Sequence, residues 1–291
     1  MDHPSGDGPN TYVVSKVTKE AGITMALSGL GSDEIFAGYP VFTRSLSLWE
    51  QRWLMGIPRP LRSLAASALL RVKRSPASYK IADLLRLSSV AVEYTYPISR
   101  LGFTDRKLAA IITGDPLPPN EVRTIMHALM HEQGGASLPL LSQVSLAEIS
   151  TYMQNILLRD TDQMSMAHAL EVRVPFLDHE LVEFVMGVSD EQKFPHTPKK
   201  LLVDSLGDLL PPEIVHRPKM GFTLPWSQWM RTALRSYCAS RMDVLAKHSA
   251  FRAEGVHALW QSFINGDKGV SWAHVWHLVV LADWMERNGI E

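Results

Sequence analysis

Residues 27–39 read Leu-Ser-Gly-Leu-Gly-Ser-Asp-Glu-Ile-Phe-Ala-Gly-Tyr and join an apolar run to a charged helix start. The apolar run, residues 23–27, lies between Gly22 and Gly29 and predicts a buried strand. Ser32 is a typical N-cap residue, and the two acids after it favour the first turn of a helix. The pattern therefore predicts a strand, a glycine turn and a helix in succession.

The predicted turn has the residue types of a phosphate site. Glycines let the backbone approach a ligand closely, and a helix start leaves N–H groups that can hold phosphate. Asp33 and Glu34 stand at the same point and could hold a divalent metal that bridges phosphate oxygens. The alternative is an ordinary tight turn with a charged first helical turn. The motif alone leaves both interpretations open.

A second block, residues 162–178, reads Asp-Gln-Met-Ser-Met-Ala-His-Ala-Leu-Glu-Val-Arg-Val-Pro-Phe-Leu-Asp. Its charged residues Asp162, Glu171, Arg173 and Asp178 stand in mostly apolar sequence. Because an unpaired buried charge is costly, these residues are expected to be paired or to face a ligand. A structural ion-pair network is the alternative interpretation of the same pattern.

A third block, residues 216–222, reads His-Arg-Pro-Lys-Met-Gly-Phe and predicts a loop. Lys219 stands between a proline and a small turn, so the loop holds its side chain in place. A positioned lysine can neutralise a leaving pyrophosphate as a point charge. An ordinary surface lysine is the alternative.

These three blocks, in this order, resemble the synthetase domain of the glutamine-dependent asparagine synthetases, the β-lactam synthetases and the asparagine-synthase-like amidotransferases. The resemblance covers nearly the whole chain, 1–291, and implies the C-terminal part of a synthetase domain with the adenine-nucleotide-hydrolase-like (PP-loop ATPase) fold. In this family, ATP activates a carboxylate as an acyl-adenylate with loss of pyrophosphate, and ammonia then displaces AMP. The carboxylate is the aspartate side chain in asparagine synthetases, and the ammonia comes from glutamine.

The resemblance also implies two small molecules, ATP and Mg²⁺, and roles for individual residues. Asp33 would bind Mg²⁺, and Lys219 would stabilise the transition state and the pyrophosphate. Residues that would contact the nucleotide are Ser28, Gly29 and Gly31. Residues that would shape the substrate pocket are Leu30, Glu34, Asp162, Glu171 and Arg173.

Three features depart from the family pattern. No Ser-Gly-Gly-x-Asp-Ser pyrophosphate loop stands upstream, and no glutaminase domain with an N-terminal cysteine is present. Leu30 occupies the position between the two glycines where the family often carries an acid or a tyrosine. A leucine cannot transfer a proton or bind an amine, which questions aspartate as the substrate. We therefore expect a fragment or a subunit that needs a partner chain or segment carrying the missing loop and the glutaminase domain.

The fold class expected from these patterns is α/β turning mostly α. Residues 1–40 form an α/β nucleotide-site unit, in which residues 10–21 are a helix and the strand at residues 23–27 is covered on both faces of a partial parallel sheet. Residues 41–291 form a helical portion. Within it, the β-branched residues 90–98 are the one further strand candidate. Helices are predicted at residues 42–55, 61–72, 78–87, 105–113, 121–133, 138–158, 178–186, 201–209, 225–236, 256–263 and 271–286.

Composition narrows the remaining function classes. The formal net charge is −1, so charge balance does not point to nucleic acid. Cys238 is the single cysteine, so an internal disulfide is impossible and a reducing compartment such as the cytoplasm is expected. No run reaches the ~18 apolar residues that span a bilayer.

Two alternatives to an amide-forming ligase stay open. The chain could be a catalytically inactive helical module for binding or scaffolding. The basic helices from Arg44 to Arg74 could lie on an anionic membrane surface, although a solvated helix face over a buried stripe explains the same pattern.

Overall fold

A computed structural model describes residues 3–73, 75–193, 197–215, 217, 221 and 224–290. The chain forms two compact units, each built from separate segments. The first unit comprises Met1–Ser15, Leu101–Pro119 and Phe222–Glu291, and the second comprises Lys16–Arg100 and Asn120–Gly221. The helix-rich composition of both units fits the expected fold class. Among the described residues, no helix has the length and apolar character needed to cross a membrane.

The elements of the described chain are mostly short helices. From the start to residue 173 they are α1 (Gly8–Glu20), β1 (Met25–Leu27), α2 (Ser32–Ile35), α3 (Pro40–Glu50), α4 (Arg59–Val72), α5 (Pro76–Arg86), α6 (Val92–Ser99), α7 (Asp105–Ile111), α8 (Glu121–His127), α9 (Leu140–Glu148), α10 (Leu158–Met166) and β2 (Glu171–Arg173). The rest are α11 (His179–Gly187), α12 (Asp190–Lys193), α13 (Lys200–Leu206), α14 (Pro212–Val215), α15 (Trp226–Arg231), α16 (Arg235–Lys247), α17 (Ala253–Asn265) and α18 (Trp272–Arg287). Two π-helical segments, Ala128–Glu132 and Ile149–Leu157, continue α8 and join α9 to α10.

The sheet of the second unit has two parallel strands, in which Ala26 of β1 pairs with Val172 of β2. The prediction of a strand covered on both faces is wrong. Leu27 is 70% exposed and Met25 is 42% exposed, so the face of the strand that carries them is only partly covered in the described chain. The sequence pattern predicts an apolar strand, but it cannot predict which elements cover that strand.

Helix packing builds the core of the second unit. Its buried side chains come from α3, α6, α8, the π segment after α8, and α9, with Phe42, Tyr96, Met126 and Leu141 at its centre. The strand predicted at residues 90–98 is instead helix α6, which contributes Tyr96 to this core. The β-branched residues favoured a strand, but packing against α5, α8 and α9 favours the helix.

The first unit has its own core around α16, α17 and α18. Trp226 stacks on Trp272 with ring centroids 5.7 Å apart, and its indole N–H donates to the carbonyl of Gly6 at 3.0 Å. The predicted helix at residues 225–236 is in fact two elements, α15 and the start of α16. Helix α16 runs on to Lys247, beyond the predicted end, and carries the buried Cys238.

Candidate functional site

The turn after β1 is held by hydrogen bonds to the second sequence block. The backbone N–H of Ser28 donates to the carbonyl of Arg173 at 2.8 Å and so extends the parallel ladder. The hydroxyl of Ser32 donates to the carbonyl of Gly29 at 2.7 Å. The prediction that Ser32 is the N-cap is wrong, because Gly31 holds the N-cap position and Ser32 is the first residue of α2. The Ser32 hydroxyl closes the turn and does not cap the helix. Helix α2 is a single turn.

Gly31 makes a second close contact between the first and second sequence blocks. Its φ of +95° lies in a region that side chains rarely adopt. A Cβ atom at this position would lie 2.7 Å from Cδ2 of Leu177 and 3.2 Å from Cβ of Phe176. Both backbone conformation and close packing therefore require glycine here. The structure brings residues 28–33 against residues 171–177, although more than 130 residues separate them in the chain.

Asp33 meets a lysine that the sequence patterns did not single out. Nζ of Lys199 lies 3.0 Å from Oδ2 of Asp33 and donates to Oγ of Ser32 at 3.0 Å. The Lys199 side chain is 31% exposed and the Asp33 side chain is 21% exposed. No local sequence signal could have found this contact, because 167 positions separate Ser32 from Lys199.

Glu34 is buried in the protein interior. It is 1% exposed, and its Oε1 accepts a hydrogen bond from the hydroxyl of Tyr39 at 3.0 Å. Burial raises the pKa of Glu34 above its ordinary value. Within the part of the chain that the structure describes, no group of three His, Cys, Asp or Glu residues could hold a metal ion. The two adjacent acids thus differ in burial, since Asp33 is 21% exposed.

Glu171 and Arg173 lie two positions apart on β2 and so share one face of the strand. Nε of Arg173 donates to Oε1 of Glu171 at 2.7 Å, and both side chains are more than half exposed. They border the turn, because Arg173 accepts the hydrogen bond from Ser28. Both side chains are thus available to solvent beside the predicted nucleotide turn.

The remaining predicted residues have different surroundings. Asp162 is exposed in the middle of α10, and Leu30 is half-buried in the turn. Asp178 caps helix α11, since its Oδ1 accepts hydrogen bonds from the N–H groups of Glu180 and Leu181. This cap gives one of the four charges in the second block a structural role. Lys219 lies outside the described residues.

The second unit also contains a buried polar network that the sequence patterns did not reveal. Nε of Arg100 donates to Oε1 of Glu148 at 3.0 Å, and Glu148 has no exposed side-chain surface. The guanidinium group of Arg100 lies over the ring of Tyr152, 4.5 Å from its centroid. Helix spacing predicts which residues lie inside, but not which distant partner neutralises a buried acid.

The sequence of the chain was compared with known protein families and with curated proteins. The asparagine synthase family model matches residues 5–286. A putative glutamine-hydrolysing asparagine synthetase of Mycobacterium tuberculosis (strain ATCC 25618 / H37Rv) is 29% identical over 235 residues, which are 79% of this chain and 34% of the relative. Asparagine synthetase 1 of Bacillus subtilis (strain 168) is 25% identical over 279 residues, or 95% of this chain and 42% of the relative.

A third relative carries a different name. Amidase chyE of Penicillium rubens (strain ATCC 28089 / DSM 1075 / NRRL 1951 / Wisconsin 54-1255) is 25% identical over 240 residues, 78% of this chain and 36% of the relative. No solved structure matches the chain. The chain spans less than half of the length of these curated relatives. The family model nevertheless matches it almost from end to end, and the chain belongs to the asparagine synthase family.

Proposed function

We propose that this chain forms part of an ATP-dependent amide-forming ligase. A carboxylate oxygen of the substrate attacks the α-phosphorus of ATP, and pyrophosphate leaves. The nitrogen of ammonia, supplied from glutamine, then attacks the acyl carbon of the adenylate, loses a proton and expels AMP. The acceptor is aspartate or a related carboxylate. Such transfers depend mainly on positioning and on neutralising charge, which the residues of this site can provide.

One observation carries the proposal: the parallel pairing of β1 with β2. In parallel sheets, ligands bind beyond the carboxyl ends of the strands. Here that edge carries the Ser28–Gly31 turn after β1, and the Glu171–Arg173 strand lies directly beside it. We assign nucleotide contact to Ser28, Gly29 and Gly31, and the substrate pocket to Leu30, Asp162, Glu171 and Arg173. Glu34 would support this pocket from the interior through Tyr39.

Mg²⁺ fits the site through Asp33. The ion is commonly held by one or two carboxylates together with substrate phosphates, so a single carboxylate at the edge of the turn suffices. When bound, the ion supplies positive charge for the phosphate oxygens. Lys219 is assigned the charge that neutralises pyrophosphate, on the strength of its sequence motif alone.

We further propose that another chain or segment, carrying the pyrophosphate loop and the glutaminase domain, completes the site. The exposed apolar surface of the second unit beside the turn supports this. Met25 is 42% and Leu27 70% exposed, both on β1, and Ile23, two positions before the strand, is 45% exposed. Apolar surface of this kind commonly marks a contact with another protein segment.

ATP–pyrophosphate exchange tests the proposal. We expect no exchange from the chain alone and measurable exchange once the part of the Bacillus subtilis relative that lies outside the match is supplied in trans. Asp33→Asn should abolish this exchange, whereas Asp204→Asn should not, although both acids pair with neighbouring lysines. Absence of both exchange and ATP binding in the supplied mixture would favour the inactive binding module instead.

A further inference from the structure

The contact between Lys199 and Asp33 occupies the point where a divalent ion would bind. Nζ of Lys199 lies 3.0 Å from Oδ2 of Asp33 and 3.0 Å from Oγ of Ser32. An ammonium group with two oxygen partners at such distances fills part of the coordination shell that a metal ion needs. Both oxygens belong to the start of α2, immediately after the predicted nucleotide turn.

The backbone holds Lys199 in this position. Its φ is +59°, a left-handed conformation that is uncommon for a lysine. The N–H of Lys199 donates to the carbonyl of Phe36 at 3.1 Å, and its own carbonyl accepts from Val203 at 2.9 Å in α13. The first bond ties the lysine to the residue that ends α2, so the lysine and Asp33 are positioned by the same short segment.

Charge makes the two cations competitors. Lysine is a compact point charge, and a divalent ion on Asp33 would lie within a few ångströms of it. The repulsion is strong because both side chains are mostly buried and water screens them weakly.

We propose that Lys199 is the resident cation of Asp33, and that a divalent ion binds there only when the Lys199 side chain has moved away. Lys199 therefore sets the affinity of the site for the metal, and it keeps the site closed to free metal ions until phosphate oxygens supply further ligands. This inference rests on the proposed role of Asp33 in metal binding. It adds to that role a residue of this chain that opposes it.

Titration of the full chain with Mn²⁺ alone, followed by electron paramagnetic resonance of the free ion, tests this directly. Lys199→Met should bind Mn²⁺ about tenfold more tightly than the unchanged chain, because the competing charge is gone. Lys199→Gln, which keeps a donor for Ser32 but no charge, should show the same gain. Adding Asp33→Asn to Lys199→Met should remove the gain.

Two matched variants serve as controls, and circular dichroism shows that each variant is folded. Lys199→Arg keeps the charge and should bind Mn²⁺ as weakly as the unchanged chain. Lys200→Met removes the adjacent lysine, which pairs with Asp204, and should also leave binding unchanged. Binding by Lys199→Met and Lys199→Gln that is no tighter than that of the unchanged chain would overturn the inference. ATP is absent from this titration, so its outcome is independent of the exchange assay for the proposed function.

Discussion

Two Arg–Glu pairs of the second unit have the same chemistry but different surroundings. Arg100 and Glu148 lie in the helical interior, where Glu148 is fully buried and Arg100 is 29% exposed. Arg173 and Glu171 lie on β2 at the edge of the turn, where they are 62% and 58% exposed. The first pair joins the end of α6 to the end of α9, 48 positions apart in the chain. The second pair joins two residues of one strand.

The difference in burial between the two pairs predicts different roles for them. Removing one member of a buried pair leaves the other as an uncompensated charge in a medium of low dielectric constant, so the interior pair maintains the core. An exposed pair contributes little to folding and can exchange its partner for a ligand at small cost. We therefore expect the interior pair to control stability and the strand pair to control substrate binding.

Removing the buried acid should give the largest effect. Glu148→Ala leaves the guanidinium group of Arg100 without its carboxylate partner and should lower the free energy of unfolding by about 4 kcal/mol. Urea denaturation followed by circular dichroism measures the change. A loss below that expected for an exposed pair would show that water reaches this site and would remove the distinction between the two pairs.

The turn beside the strand pair should be the next most sensitive position. Gly31→Ala places a Cβ atom 2.7 Å from Cδ2 of Leu177 at a φ of +95°, and should lower the free energy of unfolding by about 2 kcal/mol. Gly29→Ala is the matched control, because no atom lies within 4 Å of its added Cβ. Equal urea midpoints for the two variants would contradict the described packing of the turn on residues 176–177.

A buried lysine in the second unit should make the stability of the protein depend on pH. Lys193 is 1% exposed, and burial lowers its pKa to about 8. Its pKa in the unfolded chain is higher, so the unfolded state binds more protons above pH 8. Stability should therefore rise with pH in this range, by about 1.5 kcal/mol between pH 8 and pH 9.5.

The Lys193→Met variant isolates this contribution. Its side chain has a similar length but no titratable group, and Oγ of Ser142 keeps its hydrogen bond to the carbonyl of Met186 at 2.7 Å. The free energy of unfolding of the unchanged chain relative to this variant should increase as pH rises, whichever of the two is the more stable. A difference that stays constant from pH 8 to pH 9.5 would show that Lys193 does not change its charge in this interval.

The smallest effect on stability should come from the strand pair. Glu171→Gln should change the free energy of unfolding by less than about 0.5 kcal/mol, because both partners are exposed. The same variant should reduce substrate-dependent pyrophosphate release in the supplemented system used for the exchange assay. A destabilisation comparable to that of Glu148→Ala would mean that the strand pair has a structural role.

The sequence predicted the elements whose signals are local. Most helices lie close to their predicted ranges, because apolar spacing and proline or glycine boundaries depend on neighbouring residues. Residues 90–98 show the limit of such signals, since their β-branched side chains favour a strand while tertiary packing selects helix α6. Strand β2 shows it too. Glu171 is a poor strand former, but the segment pairs with β1 as a parallel strand.

The candidate site divides in the same way. The motifs identified the turn at residues 28–33 and the pair Glu171 and Arg173, and the structure places them side by side. The burial of Glu34 and the contact between Lys199 and Asp33 had no local signal. Both depend on how distant segments meet, which a single sequence does not encode in any short pattern.

By itself, the sequence determined the family of this protein, the order of its motifs and the residue types available for binding a nucleotide. The tertiary structure decided which adjacent acid faces outward, which lysine approaches it and which Arg–Glu pair lies inside. The physical reason is range. Motifs and helix periods arise from neighbours along the chain, whereas burial and charge pairing arise from residues that only folding brings together.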